Sequence, residues 1–178
     1  DFLLMPLEGR IGESFAIIGY FPYNISTQIV FRILENREHV PFCVGMFQKE
    51  VADKVFPFST TKNYMGSLLA LTQAYFECAL LCKVPPGAFN PPPKVDSAVL
   101  TMTRRESPLV PLSEFHVFEK FLRLLFSQKR KQLGGILKSA FPMPLIESSF
   151  ATLGIPLTIR AEALLLEQVI ELYRMLKK

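Results

Sequence analysis

Near the start of the chain, a short apolar run passes through a proline-containing turn into a helical pattern. The run covers residues 15–19, and residues 20–26 continue it as Tyr-Phe-Pro-Tyr-Asn-Ile-Ser. Its length and its isoleucines predict a strand that is covered on both faces. Apolar residues then recur at helical spacing, at Ile25, Ile29, Val30, Ile33 and Leu34. A strand that opens directly into a helix predicts an α/β domain with its chemistry at the carboxyl end of the strand.

The turn between this strand and this helix should be stiff. Pro22 fixes its own φ, lacks a backbone donor and pushes Phe21 towards an extended conformation. We therefore expect the turn to hold the Phe21 carbonyl and the Tyr23 ring facing outward at the carboxyl edge of the sheet. Asn24 or Ser26 is expected to cap the first turn of the helix.

The rest of the first hundred residues alternates between strand and helix patterns. Three further strands are predicted, at residues 40–47, 76–84 and 97–103. Helices are predicted over residues 48–56 and 66–75, and residues 57–63 form a polar loop that is a candidate flexible rim. The apolar stretch 76–84 could also be a buried helix, although its pattern favours a strand.

A proline-rich connection joins the last two predicted strands. Residues 85–97 are Pro-Pro-Gly-Ala-Phe-Asn-Pro-Pro-Pro-Lys-Val-Asp-Ser, with five prolines within nine residues. Such a segment is expected to be extended and stiff, because proline removes backbone donors and fixes φ. Phe89 is either presented by this loop or tucked into the core, and the residues alone favour the core.

Beyond residue 108 the strand signals stop. Pro108 and Pro111 mark a linker. Amphipathic helices are predicted at residues 113–128, 129–140, 145–153 and 160–176. Residues 1–100 carry 8 Lys or Arg against 9 Asp or Glu, whereas residues 101–178 carry 12 against 7. A surface for an anionic partner is therefore expected in the C-terminal part.

Six cations without an intervening acidic residue lie between Glu119 and Glu147. They are Lys120, Arg123, Lys129, Arg130, Lys131 and Lys138. A group of this kind on neighbouring helices favours binding of phosphates, as in a nucleic-acid interface. The alternative is an ordinary solvated helix face.

Composition narrows the class of protein. A hydrophobic fraction of 49% indicates a well-filled core. No apolar run reaches the length of a membrane span and no signal peptide is recognisable, so a soluble cytoplasmic protein is expected.

The three cysteines, Cys43, Cys78 and Cys82, have apolar neighbours and are expected to be buried thiols in a reducing compartment. No metal site is expected, because neither His39 nor His116 lies near Cys78 and Cys82 in the sequence.

Two motifs resemble one enzyme family. Residues 20–26 are similar to the target-base motif of amino-methyltransferases, and the Asn-Ile-Ser that follows the Tyr resembles ribosomal RNA adenine dimethyltransferases of both the small-subunit and the erythromycin-resistance type. The string Phe-x-Pro-Pro-Pro-Lys-Val-Asp-Ser at residues 89–97 is similar to the small-subunit branch. Residues 128–131 and 160–162 also resemble C-terminal signatures of that branch.

The resemblance implies an architecture. Residues 1–107 would be the second half of a Rossmann-like S-adenosylmethionine methyltransferase domain, and residues 108–178 a small all-α domain that binds RNA. Asp1 falls on the acidic residue that contacts the adenine of S-adenosylmethionine, whereas the glycine-rich cofactor motif would lie upstream. The implied partner is small-subunit ribosomal RNA or the immature small ribosomal subunit, and a monomer is expected.

The resemblance also implies a reaction, the dimethylation of N6 on two adjacent adenines near the 3′ end of that RNA. The Phe21 carbonyl, held by Pro22, would accept a hydrogen bond from N6, and Tyr23 and Phe89 would stack on the base. Tyr20 stands at a position shared by catalysis and cofactor binding. The implied RNA-binding residues are Lys94, Arg123, Lys129, Arg130, Lys131 and Lys138.

Tyr20 departs from the family motif, which has Asn or Asp at this position. A phenol oxygen lies several bonds further from the backbone than an amide oxygen, so it would occupy space meant for the base or the cofactor. Loss of one such acceptor typically costs roughly 3 to 4 kcal/mol of transition-state stabilisation. We therefore expect weak activity or none. Two alternatives remain open: an impaired relative that binds ribosomal RNA or assists ribosome assembly, and an unrelated α/β domain with a basic helical tail.

Overall fold

Two compact units make up the part of the chain that the computed structural model describes, which comprises residues 3–4, 13–57 and 65–177. The first unit contains the described residues up to 57 together with 75–108. The second contains residues 65–74 and 109–177. The predicted rim at residues 57–63 lies almost wholly outside the described residues.

A four-stranded mixed sheet forms the centre of the first unit. Its strands are β1 (Ile17–Tyr20), β2 (Phe42–Gln48), β3 (Phe76–Val84) and β4 (Ser97–Arg104). They lie in the order β1-β2-β4-β3. β1 runs parallel to β2, and β4 runs antiparallel to both β2 and β3. The strand prediction for residues 76–84 is confirmed at both ends, and the other three strands are shifted by one or two residues.

One edge of this sheet gathers the ends of three strands and the start of the fourth. Tyr20 at the end of β1 pairs with Met46 near the end of β2. Ser97 at the start of β4 pairs with both Gln48 and Val84, which end β2 and β3. The segments that directly follow β1, β2 and β3 in the chain therefore all begin at the same edge of the sheet.

Two helices belong to the sheet unit. In α1 (Ser26–Glu35), the predicted apolar positions from Ile29 to Leu34 are buried. The predicted side-chain cap is wrong, because the Ser26 hydroxyl donates back to the Pro22 carbonyl at 3.0 Å instead of accepting a backbone N–H. The second helix, α2 (Lys49–Asp53), is shorter than predicted. Pro57 explains this early end, since the residue before a proline avoids helical backbone angles.

The three cysteines differ in exposure. Cys43 is buried, Cys78 is partly buried and Cys82 is exposed. The expectation of three buried thiols is therefore wrong for Cys82. β3 is an edge strand of the sheet, and its pairing with β4 becomes irregular between Leu80 and Cys82, where its side chains are exposed to solvent.

Helices form the second unit. They are the first eight residues of α3 (Ser67–Tyr75), α4 (Phe115–Leu125), α5 (Leu133–Leu137), α6 (Met143–Thr152) and α7 (Leu166–Leu176). Phe118, Phe150 and Tyr173 are among the largest side chains of its core, and each is almost fully buried. None of the described helices is long and apolar enough to cross a bilayer.

Two of the helix predictions in this unit are wrong in extent. The segment 129–140 was predicted as one helix, but residues 129–132 form a turn and α5 begins only at Leu133. Arg130 has a φ of 73°, in the left-handed region, which breaks a right-handed helix. The last helix starts at Leu166 and not at residue 160, because Leu164 and Leu165 are extended and the Gln168 side chain caps the Leu165 N–H at 2.9 Å.

Candidate functional site

The turn after β1 is anchored by the ring of Phe21. This ring is buried, and its centroid lies 5.2 Å from that of Phe47. It sits over Gly45, where a Cβ atom would come within 2.3 Å of the Phe21 Cε2 atom. The Phe21 N–H also donates to the Met46 carbonyl at 3.3 Å. The Phe21 carbonyl accepts no hydrogen bond from the described residues.

The Tyr23 side chain is held by a contact with the first residue of β4. Its phenol oxygen lies 2.5 Å from the hydroxyl oxygen of Ser97, the buried first residue of β4. Ser97 is the last residue of the string that resembles the family, but no role was predicted for it from the sequence. A serine that opens a buried strand is a usable signal, since a buried hydroxyl needs a hydrogen-bond partner.

Tyr20 stands beside both predicted stacking residues. Its ring centroid lies 5.9 Å from that of Tyr23 and 6.3 Å from that of Phe89. The Tyr20 side chain is 58% exposed. A hydrogen bond with the Tyr23 side chain, assisted by partial desolvation, raises the pKa of Tyr20 above its ordinary value. The three rings therefore form one aromatic group.

The proline-rich loop completes a cleft beside this group. Residues Pro86–Ala88 form a single 3-10 turn, so the expectation of an extended connection is wrong there. Proline at the first position of such a turn already has the required φ. Phe89 follows the turn, half-buried and outside the core, and its N–H donates to the Pro86 carbonyl at 3.2 Å. Tyr20 and residues 89–93 line a cleft of about 540 Å³.

This arrangement suits a planar, polar aromatic ligand. The cleft volume lies within the roughly 300–1,000 Å³ of small-molecule sites. Aromatic faces offset the free energy needed to take a base out of its stack. The Phe21 carbonyl can accept an N–H bond from an exocyclic amine, as a nucleobase such as adenine presents. The aromatic group offers stacking surfaces beside the cleft, and the Phe21 carbonyl belongs to the turn between Tyr20 and Tyr23.

The described residues do not make a site for S-adenosylmethionine by themselves. Asp1 lies outside the described residues. Tyr20 lies beside the Tyr23 ring, and the cleft that it lines is otherwise formed by residues 89–93. The sequence has no G-x-G-x-G loop to hold a nucleoside. Among the described side chains, no group of three or more His, Cys, Asp or Glu residues could hold a metal ion.

The predicted RNA-binding residues occupy several places. Lys129, Arg130 and Lys131 are exposed in the turn between α4 and α5, and Lys138 is exposed just after α5. Arg123 is ion-paired with Glu119 at 2.6 Å, so the expectation that it is uncompensated is wrong. Lys94 belongs to the sheet unit, where it lines a different cleft.

Known proteins resemble this chain along most of its length. Residues 4–178 match the family model described as ribosomal RNA adenine dimethylase. The ribosomal RNA small subunit methyltransferase A of Cytophaga hutchinsonii is 43% identical over 139 residues, which are 78% of this chain and 53% of the relative. The protein of the same name from Parabacteroides distasonis is 38% identical over 97% of this chain and 62% of its own length. The chain thus spans little more than half the length of these relatives.

Solved structures agree with the fold. A 23S rRNA methyltransferase, ErmE, has a TM-score of 0.79 at 27% identity over 99% of this chain and 69% of its own. A dimethyladenosine transferase from Plasmodium falciparum has a TM-score of 0.72 at 23% identity over 89% of this chain and 66% of its own, which supports the fold alone. The expected fold, the later part of a Rossmann-like methyltransferase domain followed by helices, is confirmed. The chain belongs to the ribosomal RNA adenine dimethylase family.

Proposed function

We propose that this chain supplies the adenine-binding and RNA-binding parts of an enzyme that methylates small-subunit ribosomal RNA. The reaction is transfer of methyl groups from S-adenosylmethionine to N6 of two adjacent adenines near the 3′ end, a step of ribosome maturation. The enzyme acts in the cytoplasm as a monomer on the immature small subunit. The family match and the names of the relatives support this proposal.

The observation that carries the proposal is the aromatic group Tyr20, Tyr23 and Phe89 beside the cleft. A target adenine that leaves its stack enters the cleft and packs against the rings of Tyr23 and Phe89. One N6 hydrogen is donated to the Phe21 carbonyl, which favours a rotated or pyramidal amine whose lone pair is no longer delocalised into the ring. S-adenosylmethionine supplies the methyl group when it is bound. The residues of this chain orient the amine and exclude water.

The partner is held by charge in the helical unit. Lys129, Arg130, Lys131 and Lys138 are exposed and contact phosphates of the RNA. Arg123 contributes less, because Glu119 already neutralises it. Binding through these residues does not depend on base identity, so it positions the RNA while the aromatic group selects the base.

A second candidate function is favoured by Tyr20. The Tyr20 ring adjoins both stacking residues, at a position where the family motif has a short Asn or Asp. A base that enters must share this space with the Tyr20 ring. On this account the protein binds ribosomal RNA and assists small-subunit assembly with little or no methyl transfer.

One experiment separates the two candidates. Transfer of labelled methyl groups to unmodified small-subunit RNA is measured for the full-length protein and for its Tyr20→Asn variant. Comparable, robust activity in both supports the enzyme and rejects an impairment by Tyr20. A rise of about 10² or more in the variant supports the impaired relative. Absence of salt-sensitive RNA binding in the parent rejects both candidates.

A further inference from the structure

One residue at the wall of the cleft beside the aromatic group has no role in the motifs. Asn90 follows Phe89 and takes the open position of the Phe-x-Pro-Pro-Pro string, at which the family resemblance specifies no residue. It lines the cleft together with Tyr20, Phe89 and residues 91–93. Asn90 is exposed, and its amide has no hydrogen-bond partner in the described part of the chain. The wall of the cleft therefore includes an amide that a ligand can use.

The other residues of the cleft offer few hydrogen-bond donors. Residues 91–93 are prolines, which have no backbone N–H. The Phe89 N–H is already engaged, because it donates to the Pro86 carbonyl at 3.2 Å. Among the described residues that line the cleft, only Asn90 and Tyr20 have a side-chain donor. A phenol has a single donor, whereas the amide of Asn90 presents a donor and an acceptor side by side.

Adenine presents the complementary pattern at its edge. The N6 amine donates, and the ring nitrogen on either side of it, N1 or N7, accepts. An asparagine amide bonds both groups at once, which is how proteins read adenine N6 and N7 in DNA. Guanine has the acceptor O6 in place of the amine, so one of the two bonds is lost. A site that hydrogen-bonds a polar group rejects an analogue without it, since its own polar group is left unpaired.

The departure at Tyr20 gives the Asn90 amide a particular importance. The family motif has a short Asn or Asp at the first position, whereas this chain has Tyr20 there. The Tyr20 ring lies 6.3 Å from the ring of Phe89, the residue that precedes Asn90. The amide that is absent at position 20 is thus present at position 90, in the same cleft.

We propose that Asn90 is the residue that selects adenine in this cleft. Its side-chain carbonyl accepts one N6 hydrogen, and its NH₂ group donates to N1 or N7 of the same base. The inference rests on the proposed function, because it names the group that recognises the base stacked on Tyr23 and Phe89. The proline-rich loop then contributes base identity as well as a stacking face.

The inference is tested with the full-length protein and four small-subunit RNA strands. They carry adenine, guanine, 1-deazaadenine or 7-deazaadenine at the target position, and the dissociation constant is measured for each. The parent should prefer adenine to guanine by about 5- to 150-fold, which corresponds to 1–3 kcal/mol for one bidentate pair. One of the two deazaadenine strands should also bind several-fold more weakly than adenine. The weaker one identifies the ring nitrogen that Asn90 contacts.

Two variants of Asn90 separate the donor from the acceptor. Asn90→Leu keeps the size of the side chain and removes both groups, so it should lose most of each preference. Asn90→Asp keeps the acceptor and removes the donor, so it should lose the preference over the deazaadenine and keep part of that over guanine. Lys94→Gln is the control in the same loop, since Lys94 lines a different cleft. It should weaken all four strands alike and leave their ratios unchanged.

Three results would overturn the inference. They are parent ratios in Asn90→Leu, a loss of the ratios in Lys94→Gln as large as in Asn90→Leu, and equal binding of adenine and both deazaadenines by the parent. A parent that prefers adenine to an abasic site, together with unchanged ratios in Asn90→Leu, refutes the role of Asn90 and leaves the proposed function standing. A parent that does not bind these strands rejects both.

Discussion

The phenol oxygen of Tyr23 and the hydroxyl oxygen of Ser97 lie 2.5 Å apart and join positions 74 residues apart in the chain. The contact ties the turn after β1 to the first residue of β4. It fixes the position of the Tyr23 ring. The aromatic group therefore depends on a contact with a distant strand of the sheet.

The contact between Tyr23 and Ser97 should appear as a coupling free energy in a double-mutant cycle. Tyr23→Phe and Ser97→Ala each remove one hydroxyl and should lower the free energy of unfolding by about 1 kcal/mol. The double variant should lose clearly less than the sum of the two, because both changes remove the same hydrogen bond. Urea unfolding of the parent, the two single variants and the double variant gives the four free energies of unfolding that are compared. Strictly additive losses would show that the two hydroxyls do not interact.

Gly45 should tolerate no side chain. A Cβ atom there would lie 2.3 Å from the Phe21 ring and 2.7 Å from the Phe47 ring, so Gly45→Ala should destabilise the sheet unit by about 1–3 kcal/mol. Gly87→Ala is the control in the same unit, since nothing lies within 4 Å of its added Cβ. Denaturant midpoints compare the two variants. An equally small effect at both positions would contradict the packing of Phe21 over Gly45.

The three thiols should react at different rates. Burial raises the pKa of Cys43 and of Cys78 to about 12, so both remain protonated near pH 8. Cys82 is exposed. Mass spectrometry after iodoacetamide treatment should find Cys82 modified first, and Cys82→Ser should remove the fast phase. All three thiols should react alike in urea. Equal rates in the native protein would contradict the assigned burial.

Glu114 should make the helical unit sensitive to acid. Hydrogen bonds from Lys177, at 2.7 Å, and from the Tyr173 hydroxyl, at 2.8 Å, lower the pKa of this carboxyl. A lowered pKa in the folded state adds stability above the unfolded value of about 4.3, and this stability is lost as the pH falls through the folded value.

The parent should therefore be more stable than Glu114→Gln at pH 7, and the difference should shrink below about pH 4. Thermal unfolding across this range measures it. Glu167→Gln, an exposed carboxyl in the first turn of α7, is the control and should show no comparable change. A difference between parent and Glu114→Gln that is constant from pH 7 to pH 3 would contradict the contact.

Local sequence patterns predicted the elements that place the site. The apolar run before Tyr20, the helical spacing after Ser26 and the prolines around residues 85–93 located β1, α1 and the loop. The Glu119–Arg123 pair could also have been foreseen, because residues four apart share a helix face. Such patterns determine local structure, that is, one helix or strand and the segments next to it.

Contacts between distant residues could not be read from the same patterns. Lys49 and Asp96 meet because Gln48 pairs with Ser97, and alternation of apolar residues does not determine which strands pair or in which register. The left-handed Arg130 was missed for a different reason, since nothing in Lys-Arg-Lys signals a helix break. The role of Ser97 could be predicted only with knowledge of both its burial and its position opposite Tyr23.

The most direct test of the central claim, that Tyr23 and Phe89 receive an adenine, is a comparison of two RNA strands. One small-subunit RNA strand carries the target adenine and the other an abasic site in its place, and the dissociation constants of the full-length protein are measured for both. The parent should prefer the adenine strand. Phe89→Ala should reduce this preference by about 5- to 150-fold, which corresponds to 1–3 kcal/mol of stacking, while Val117→Ala, exposed on α4, should keep it. An unchanged preference in Phe89→Ala would contradict the account.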